Sequence, residues 1–472
     1  MIEMNGRNSL LKEVLDSSTL ISEYSVKGYK IEIIKENKII YYSANPLYDF
    51  ALEPLFFSEL TSLIYKNKER LSKGILKFDE LLETLKSICM WKILEIDNLS
   101  INPDVFAELF IYRLIKLDRI MCLFLDDSVN EIYMDQKNSQ IYLDHQYFGR
   151  CNTKIILEED EIEGLLTRLK LEHPISISPK KPSLKVEFQT KFFHLRISMD
   201  FPPLSPNGPT FNIRKLKSNP LTLVDLVNLG TFPSIIGAYL VEAVKRRRNI
   251  TVIGEPNAGK TTLANAIDLY TPKNWRKIAI EDAIESIDQS SLGYKHLSIQ
   301  VDSFESNKAN HTKTSEILKL LHRSPDWIYL GEIQSREHTQ AMFEALNAGL
   351  KGIQTAHSDS IHKILRRWEN LHKISPSDFL SLDIIIIMKR DITEFSFIRR
   401  IFEIYEVNKE FGEDSPNQDF LTRIYNVEEN NERIIENIKE KSLLKEFYTS
   451  IRKRNQKFQK NEHLQGVEDI GC

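Results

Sequence analysis

The sequence predicts an α/β protein in which a domain built on a parallel central sheet follows an α+β N-terminal domain. Short apolar runs alternate with helix-length segments after residue 221, and strands that alternate with helices imply a parallel sheet covered on both faces. Before residue 217, short alternating segments are mixed with helical periodicity, which is typical of an α+β domain. The length of 472 residues is sufficient for two or three domains, each with its own core.

We expect four segments along the chain. They are an N-terminal α/β extension of unknown role (1–100), the α+β domain (101–216), the parallel-sheet domain (221–408) and a charged helical C-terminal tail (409–472). A linker that ends in proline (217–220) separates the second segment from the third.

The elements before this linker follow from periodicity. Period-2 and apolar segments predict strands at 29–34, 38–42, 131–134, 140–143, 184–188, 193–197 and 210–215. Helical spacing predicts helices at 56–71, 78–94 and 104–116. The proline-dense stretch 201–209 breaks any regular element and is expected to be a loop.

The same rules apply to the remainder of the chain. Helical spacing predicts helices at 223–229 and 233–247, and short apolar runs predict strands at 250–253, 277–280, 327–330 and 352–355. Each of these runs is followed by a helix-length segment, which supports the parallel arrangement.

Composition excludes several classes of protein. Hydrophobic residues make up 42% and charged residues 28% of the chain, and the formal net charge is −4. A global positive field that would hold nucleic acid is therefore missing. The apolar runs are far shorter than the roughly 20 residues that span a bilayer, so no transmembrane helix is expected. The first residues do not have a basic segment followed by an apolar one, which predicts a cytoplasmic protein without a secretion signal.

The most informative motif lies between the predicted strand 250–253 and a helix that follows it. Residues 254–262 read Gly-Glu-Pro-Asn-Ala-Gly-Lys-Thr-Thr and match G-x-x-x-x-G-K-[ST]. In the order strand, loop and helix this motif forms a cradle of backbone N–H groups for phosphate, to which the helix N-terminus adds partial positive charge. Lys260 can reach the β and γ phosphates, and the Thr261 hydroxyl can bind Mg²⁺. The predicted nucleotide-binding residues are Gly254, Asn257, Ala258, Gly259, Lys260, Thr261 and Thr262.

Acidic residues and one histidine follow three other predicted strands. Glu281, Asp282 and Glu285 come after the strand 277–280, and Glu332 follows the strand 327–330. His357 closes the strand 352–355. Carboxylates at the end of a strand beside the phosphate loop lie where a metal ion and an attacking water are held in nucleotide hydrolases. We therefore expect Glu281, Asp282 or Glu332 to assist Thr261 in holding Mg²⁺ through water.

Together these motifs resemble those of the secretion ATPase superfamily, which serves type II and type IV secretion, type IV pilus assembly and archaellum motors. The resemblance covers about residues 125–408. The loop is similar to that family's Walker A motif. Its Asp box is resembled by 280–285, its Walker B motif by 330–333 and its His box by 349–357. Its two closing strands are resembled by 383–390 and 399–407. The segment 211–215 resembles the F-x-I-R-K element before the motor domain. The four cysteines have no C-x-x-C spacing, so the chain looks more like the archaeal branch than the zinc-binding bacterial type II members.

The resemblance implies a RecA-like motor domain that hydrolyses ATP with Mg²⁺. It implies that Lys260 and Thr261 hold phosphate and metal, that Glu285 orients the hydrolytic water and that Glu332 supports metal and water. His357 would contact the γ-phosphate, and Arg214 would approach the nucleotide from the linker side. It further implies a homo-oligomeric, hexameric ring at the inner face of the cell membrane. A polytopic platform protein would be its direct partner, and pilin-like subunits would be served indirectly.

Three departures from the family pattern bear on turnover. His322 and Gln334 stand where relatives carry arginine, and Gly349-Leu350 replaces a Gly-His pair. Arginines stabilise the negative charge that spreads over the γ-phosphoryl oxygens, so their loss predicts slow hydrolysis unless Arg323 or Arg336 compensates.

Two other functions fit the same motifs. A DNA translocase or helicase would also use a RecA-like ring, although the acidic balance and the missing stacking motifs argue against nucleic acid. An ATP-binding regulatory subunit with little hydrolysis would explain the lost arginines.

Overall fold

The computed structural model describes residues 18–48, 54–67, 77–96, 101–173, 175–216, 221–282, 284–301, 312–392, 397–409 and 420–460. Contacts divide the chain into two compact units, one of residues 1–218 with 393–397 and one of residues 219–392 with 398–472. The predicted linker 217–220 lies outside the described residues. The four-segment division stays a prediction, and the two units are considered separately below.

The N-terminal unit is an α+β structure, as predicted. Within its described residues nine strands form a sheet in the order β1-β2-β3-β6-β5-β4-β9-β8-β7. The strands are β1 (Ser18–Val26), β2 (Tyr29–Glu36), β3 (Ile39–Pro46), β4 (Val129–Met134), β5 (Gln140–His145), β6 (Gly149–Ile156), β7 (Ser183–Gln189), β8 (His194–Asp200) and β9 (Thr210–Leu216). The helices are α1 (Pro54–Lys66), α2 (Phe78–Ile93), α3 (Pro103–Leu114), α4 (Asp118–Leu125) and α5 (Glu159–Glu172). Strand β3 pairs with β6 in parallel, and the other described pairs of this sheet are antiparallel.

A buried carboxylate ties the first strands of this unit to its later part. The Tyr24 and Tyr42 hydroxyls donate hydrogen bonds of 2.6 and 2.9 Å to Asp126, which follows α4 and is 2% exposed. The Tyr24 hydroxyl also lies 3.0 Å from Nε2 of His145 on β5. Because a buried carboxylate is costly unless it is hydrogen-bonded, this cluster fixes the position of β1 and β3 against α4 and β5.

The C-terminal unit contains the predicted parallel sheet. Within its described residues eight strands are arranged in the order β12-β11-β13-β14-β10-β15-β16-β17. They are β10 (Ile250–Gly254), β11 (Arg276–Glu281), β12 (Lys295–Gln300), β13 (Trp327–Ile333), β14 (Gly352–His357), β15 (Ile384–Ile392), β16 (Phe397–Val407) and β17 (Leu421–Asn426). The pairings from β12 through β15 are parallel, which confirms the predicted α/β class with a parallel central sheet.

The helices of this unit are α6 (Leu223–Asn228), α7 (Ser234–Lys245), α8 (Lys260–Asp268), α9 (Lys313–Lys319), α10 (Arg336–Asn347), α11 (Ile361–Arg366), α12 (Asn431–Glu440) and α13 (Tyr448–Gln459). Strand β10 is buried along its whole length between β14 and β15. In a parallel sheet the carboxyl ends of neighbouring strands lie at one edge. Gly254 is in register with His357 of β14 and Met388 of β15, so the phosphate loop begins beside the end of β14.

The described part of the block after residue 409, expected to be helical, contains a strand. Residues Leu421–Asn426 form β17, which pairs antiparallel with β16 and buries Ile424 and Tyr425. Aliphatic and aromatic side chains of this kind favour a half-buried strand over a helix. The last helix is part of the core, since Phe458 of α13 lies against Gly237 of α7.

Among the described residues, every helix is too short or too polar to cross a lipid bilayer.

Candidate active site

The phosphate loop has the context that its motif requires. Strand β10 ends at Gly254, and α8 begins at Lys260. Gly259 has φ +90° and Asn257 has φ +60°, so the loop enters the helix through left-handed backbone, a conformation that glycine adopts without steric cost. The strand, loop and helix order predicted from the sequence is thereby confirmed.

The predicted loop residues differ in their exposure. Ala258 and Lys260 are buried, Asn257, Gly259 and Thr261 are half-buried, and Thr262 is exposed. The Thr261 side chain therefore remains accessible at the first turn of α8, where the helix N-terminus favours anions.

The structure brings Lys260, His357 and Glu332 together. The Lys260 ammonium lies 2.9 Å from the Glu255 carbonyl oxygen and 3.0 Å from Nδ1 of His357. The other ring nitrogen of His357, Nε2, contacts Oε1 of Glu332. A lysine ammonium can only donate, so Nδ1 accepts its hydrogen bond and Nε2 carries the proton that is donated to Glu332. Lys260 lies at the start of α8, His357 at the end of β14 and Glu332 near the end of β13.

A bulge directs Glu332 toward this cluster. The register of β13 against β14 shifts between Leu330 and Glu332, so Gly331 is the extra residue. Bulges locally change the direction in which the following side chain points. A Cβ atom on Gly331 would lie only 2.9 Å from Cγ of Glu281, so glycine permits the close approach of β11 and β13.

The environment of Glu332 favours its ionised form. Burial is the largest single effect on its pKa and would raise it. The hydrogen bond from His357, together with Gln334 and the charge of Lys260, outweighs burial and holds the pKa of Glu332 below its usual value. An ionised carboxylate beside Lys260 can orient a water or hold a metal ion through water.

The acids that follow β11 are placed differently. Glu281 is buried and accepts hydrogen bonds from the backbone N–H groups of Glu285 and Ser286 at 3.0 and 2.9 Å, and from the Ser286 hydroxyl. Burial, the largest effect, raises its pKa despite these bonds. Asp282 forms an ion pair of 2.8 Å with Lys313. Both carboxylates are thus engaged by groups of the protein itself.

Glu285 lies against the helix that follows the phosphate loop. Its backbone carbonyl accepts a hydrogen bond of 2.8 Å from Asn265 of α8, which is one helical turn beyond Thr261. Glu285 is half-buried. Its proposed role in orienting water stays a prediction.

Arg214 belongs to the N-terminal unit. It lies on β9, with Nε 3.8 Å from Oε1 of Glu131 on the neighbouring strand β4. Its approach to nucleotide stays a prediction.

The donor set fits Mg²⁺ held mainly by a nucleotide. The described residues contain no cluster of three or more histidine, cysteine or acidic side chains able to form a complete metal site. Mg²⁺ is usually bound by one or two protein ligands together with substrate phosphates and waters. The Thr261 hydroxyl and the ionised Glu332 carboxylate are suited to that role.

Two residues of this site were not predicted from the sequence. The Nε atom of Arg399 on β16 donates a hydrogen bond of 2.9 Å to the carbonyl oxygen of Asn257 in the phosphate loop. Lys313, at the start of α9, is buried against Asp282 and the backbone of Glu332. Arginine and lysine side chains are usually solvated, so neither position carries a local signal for this role.

This site and fold identify the class of protein as a phosphate-loop α/β protein with a separate N-terminal α+β unit. The chain belongs to the type II/IV secretion system protein family, whose model matches residues 108–469. The family predicted from the motifs is thereby confirmed.

Individual relatives are distant. An uncharacterised protein of Methanocaldococcus jannaschii is 26% identical over 352 residues, which are 71% of this chain and 47% of the relative, so the chain spans about half of that relative's length. The conjugal transfer protein TrbB of Rhizobium radiobacter is 29% identical over 178 residues, which are 36% of this chain and 50% of the relative. Among solved structures, the Legionella pneumophila ATPase DotB is 18% identical with a TM-score of 0.42, covering 64% of this chain and 81% of DotB.

Proposed function

We propose that the chain binds ATP with Mg²⁺ at the phosphate loop and hydrolyses it to ADP and phosphate. The observation that carries this proposal is the convergence of Lys260, His357 and Glu332 beside the loop. A lysine for the phosphates, an ionised carboxylate for water and an imidazole between them are the groups that phosphoryl transfer to water needs. Membership of the type II/IV secretion system protein family supports the same activity.

In the proposed reaction a water oxygen forms a bond to the γ-phosphorus while the bond from that phosphorus to the β,γ-bridging oxygen breaks. The loop N–H groups and Lys260 bind the phosphates and stabilise the charge on the leaving ADP. Glu332, with Glu285 as a second acid, orients the water and accepts its proton. Mg²⁺ supplies charge neutralisation of the phosphates when bound, and Thr261 and Glu332 would hold it.

At the level of the cell, we propose a motor. ATP turnover would power the assembly of a type IV pilus-like or archaellum-like filament, or secretion, through a polytopic membrane platform protein. The chain would work as a hexameric ring in the cytoplasm at the inner face of the membrane. The family assignment supports this proposal, and one relative is a conjugal transfer protein, TrbB.

The activity is tested with the full purified chain. Phosphate release from ATP is measured at steady state and in single turnover, with Mg²⁺ and with EDTA. We expect Mg²⁺-dependent hydrolysis, slow because His322 and Gln334 replace arginines. ATP binding without any single-turnover hydrolysis would instead support the regulatory subunit, and strong, salt-sensitive stimulation by DNA would support the translocase.

The role of Glu332 is tested in the same assay. Glu332→Gln keeps the size of the side chain and removes its charge, so we expect turnover to fall about 10²- to 10⁴-fold while ATP still binds. Glu337→Gln, on the exposed first turn of α10, is the matched control. Equal turnover in Glu332→Gln and the wild type would remove Glu332 from the mechanism.

A further inference from the structure

A buried lysine joins the two acidic segments of the site. Lys313 is the first residue of α9 and is 2% exposed. Its ammonium lies 2.8 Å from Oδ1 of Asp282, just after β11, and 2.7 Å from the backbone carbonyl oxygen of Glu332, at the end of β13. One side chain therefore holds the carboxyl ends of two neighbouring strands.

The energetic cost of this arrangement indicates that it is specific. Moving an ammonium group out of water costs several kcal/mol of hydration free energy. A buried ion pair offsets that cost only when carboxylate and carbonyl acceptors are well placed around the ammonium. A surface position for Lys313 would avoid that cost. Burial also places its charge beside His338 of α10, whose pKa is lowered first by burial and next by Lys313.

The charge of Lys313 also fills a gap in the site. Gln334, directly after β13, and His322, before the same strand, stand where the family resemblance places arginines. Arg323, one candidate to replace them, pairs with Glu316 at 2.6 Å, and Arg336, the other, is exposed on α10. Lys313, in contrast, is a buried cation in contact with the Glu332 backbone.

We propose that Lys313 is a positioning residue for ATP hydrolysis. By holding the Glu332 carbonyl it fixes the bulge at Gly331 and so directs the Glu332 carboxylate toward Lys260 and the phosphates. By pairing with Asp282 it keeps that carboxylate away from the Mg²⁺ of the nucleotide. This inference rests on the proposed ATPase function and adds a residue to it.

The first test is Lys313→Met, which removes the charge and keeps most of the side-chain length. A misplacement of the order of 1 Å in a catalytic group can cost about a hundredfold in rate. We expect kcat to fall about tenfold to a hundredfold while KM for ATP changes less than about threefold, because the phosphate loop is untouched. Lys313→Arg keeps the charge and should recover most of kcat. The control is Lys319→Met, which removes an exposed lysine of the same helix.

A double variant separates positioning from stability. In Lys313→Met the Asp282 carboxylate loses its partner, and the melting temperature should fall. Asp282→Asn added to Lys313→Met removes the unpaired charge, so we expect it to restore the melting temperature but not kcat. Recovery of kcat together with the melting temperature would show that Lys313 only neutralises Asp282, and would overturn the proposal.

The outcomes for Lys313 and for the ATPase function are distinguishable. A wild-type chain without hydrolysis overturns the ATPase function. Binding of Mg²⁺-ADP with fluoroaluminate, a mimic of the transferring phosphoryl group, then tests Lys313, and we expect Lys313→Met to weaken it about tenfold while Mg²⁺-ADP alone binds equally. The Lys313 proposal is overturned if Lys313→Met and the wild type bind Mg²⁺-ADP with fluoroaluminate equally, or if they have equal kcat when the wild type is active. It is also overturned if the wild type binds Mg²⁺-ADP neither with nor without fluoroaluminate.

Discussion

The ammonium of Lys260 lies 3.0 Å from Nδ1 of His357, at the end of the strand beside the phosphate loop. This contact holds the lysine over the loop before any phosphate arrives, and Nε2 of the same imidazole reaches Glu332. The side chain that would bind phosphate and the carboxylate that would orient water are thus linked through one histidine. Displacement of Lys260 toward a phosphate would change the hydrogen bond that His357 accepts.

The first prediction concerns the pH dependence of hydrolysis. Burial alone would raise the pKa of Glu332, and His357 is the largest influence that lowers it. In His357→Ala the pKa of Glu332 rises, so the ionised form is lost at a higher pH as pH falls. We expect kcat to drop about 10²-fold and the acidic limb of its pH profile to move to higher pH.

The control for this change is His362→Ala, since His362 is exposed on α11. It should leave both kcat and the acidic limb as in the wild type. An unshifted acidic limb in His357→Ala, measured by initial rates across the pH range, would show that His357 does not set the ionisation of Glu332.

The second prediction concerns the bulge at Gly331. A methyl group there would meet Cγ of Glu281 at 2.9 Å, and Glu281 cannot move away without losing its bonds to residues 285 and 286. We expect Gly331→Ala to lower the free energy of unfolding by about 1–3 kcal/mol and to reduce kcat, because the end of β13 must shift.

Gly293→Ala is a useful comparison in the same assays. Gly293 has φ +85° and open space around it, so alanine should cost about 1–2 kcal/mol through backbone strain alone. Its kcat should equal that of the wild type. Equal kcat in Gly331→Ala as well would mean that close packing of β11 on β13 has no bearing on the site.

The third prediction concerns stability and pH. Asp383 is fully buried beside β10, accepts a hydrogen bond of 2.8 Å from the backbone N–H of Asn249, and pairs with Lys409 at 2.6 Å. Burial, the largest effect, would raise its pKa, but Lys409, the Asn249 N–H and Lys351 together lower it. The folded-state pKa is below the unfolded-state pKa, so the stability contributed by ionised Asp383 is present above pH 3.8 and is lost as pH falls through the folded-state value.

We therefore expect Asp383→Asn to destabilise the chain at pH 7 by about 1.5–3 kcal/mol, since it removes the charge-assisted hydrogen bonds that the buried carboxylate accepts from the Asn249 N–H and Lys409. The difference from the wild type should shrink as pH is lowered below 3.8. Urea unfolding at a series of pH values measures it. A difference that is constant with pH would contradict an ionised Asp383 in the folded protein.

Much of the parallel-sheet domain was predictable because its signals are local. The strand 250–253, the loop and the helix after it are read from glycine positions and an apolar run, and the structure has all three in place. Strand β12 was not predicted, because it is an edge strand with four of its six residues exposed and lacks an apolar face. Strand β17 lies in a charged segment and is stabilised by pairing with β16. The local sequence of β17 does not reveal that pairing.

The sequence predicted Lys260, Glu332 and His357 of the site but not the cations Lys313 and Arg399. Glu332 and His357 follow apolar strands, and the carboxyl ends of those strands meet at one edge of the sheet. The positions of Glu281 and Asp282 could not be foreseen, because their engagement depends on the turn at Ser286 and on Lys313 from a distant helix.

The most direct measurement is titration of the full chain with ATP and Mg²⁺ by calorimetry, for the wild type and for Lys260→Ala. We expect one binding site per chain in the wild type and affinity at least about a hundredfold weaker in the variant, because the lysine of this motif reaches the β and γ phosphates. Lys363→Ala, which removes an exposed lysine near His357 in sequence, should bind as the wild type does. ATP affinity that is equal in Lys260→Ala and the wild type would contradict the assignment of this site.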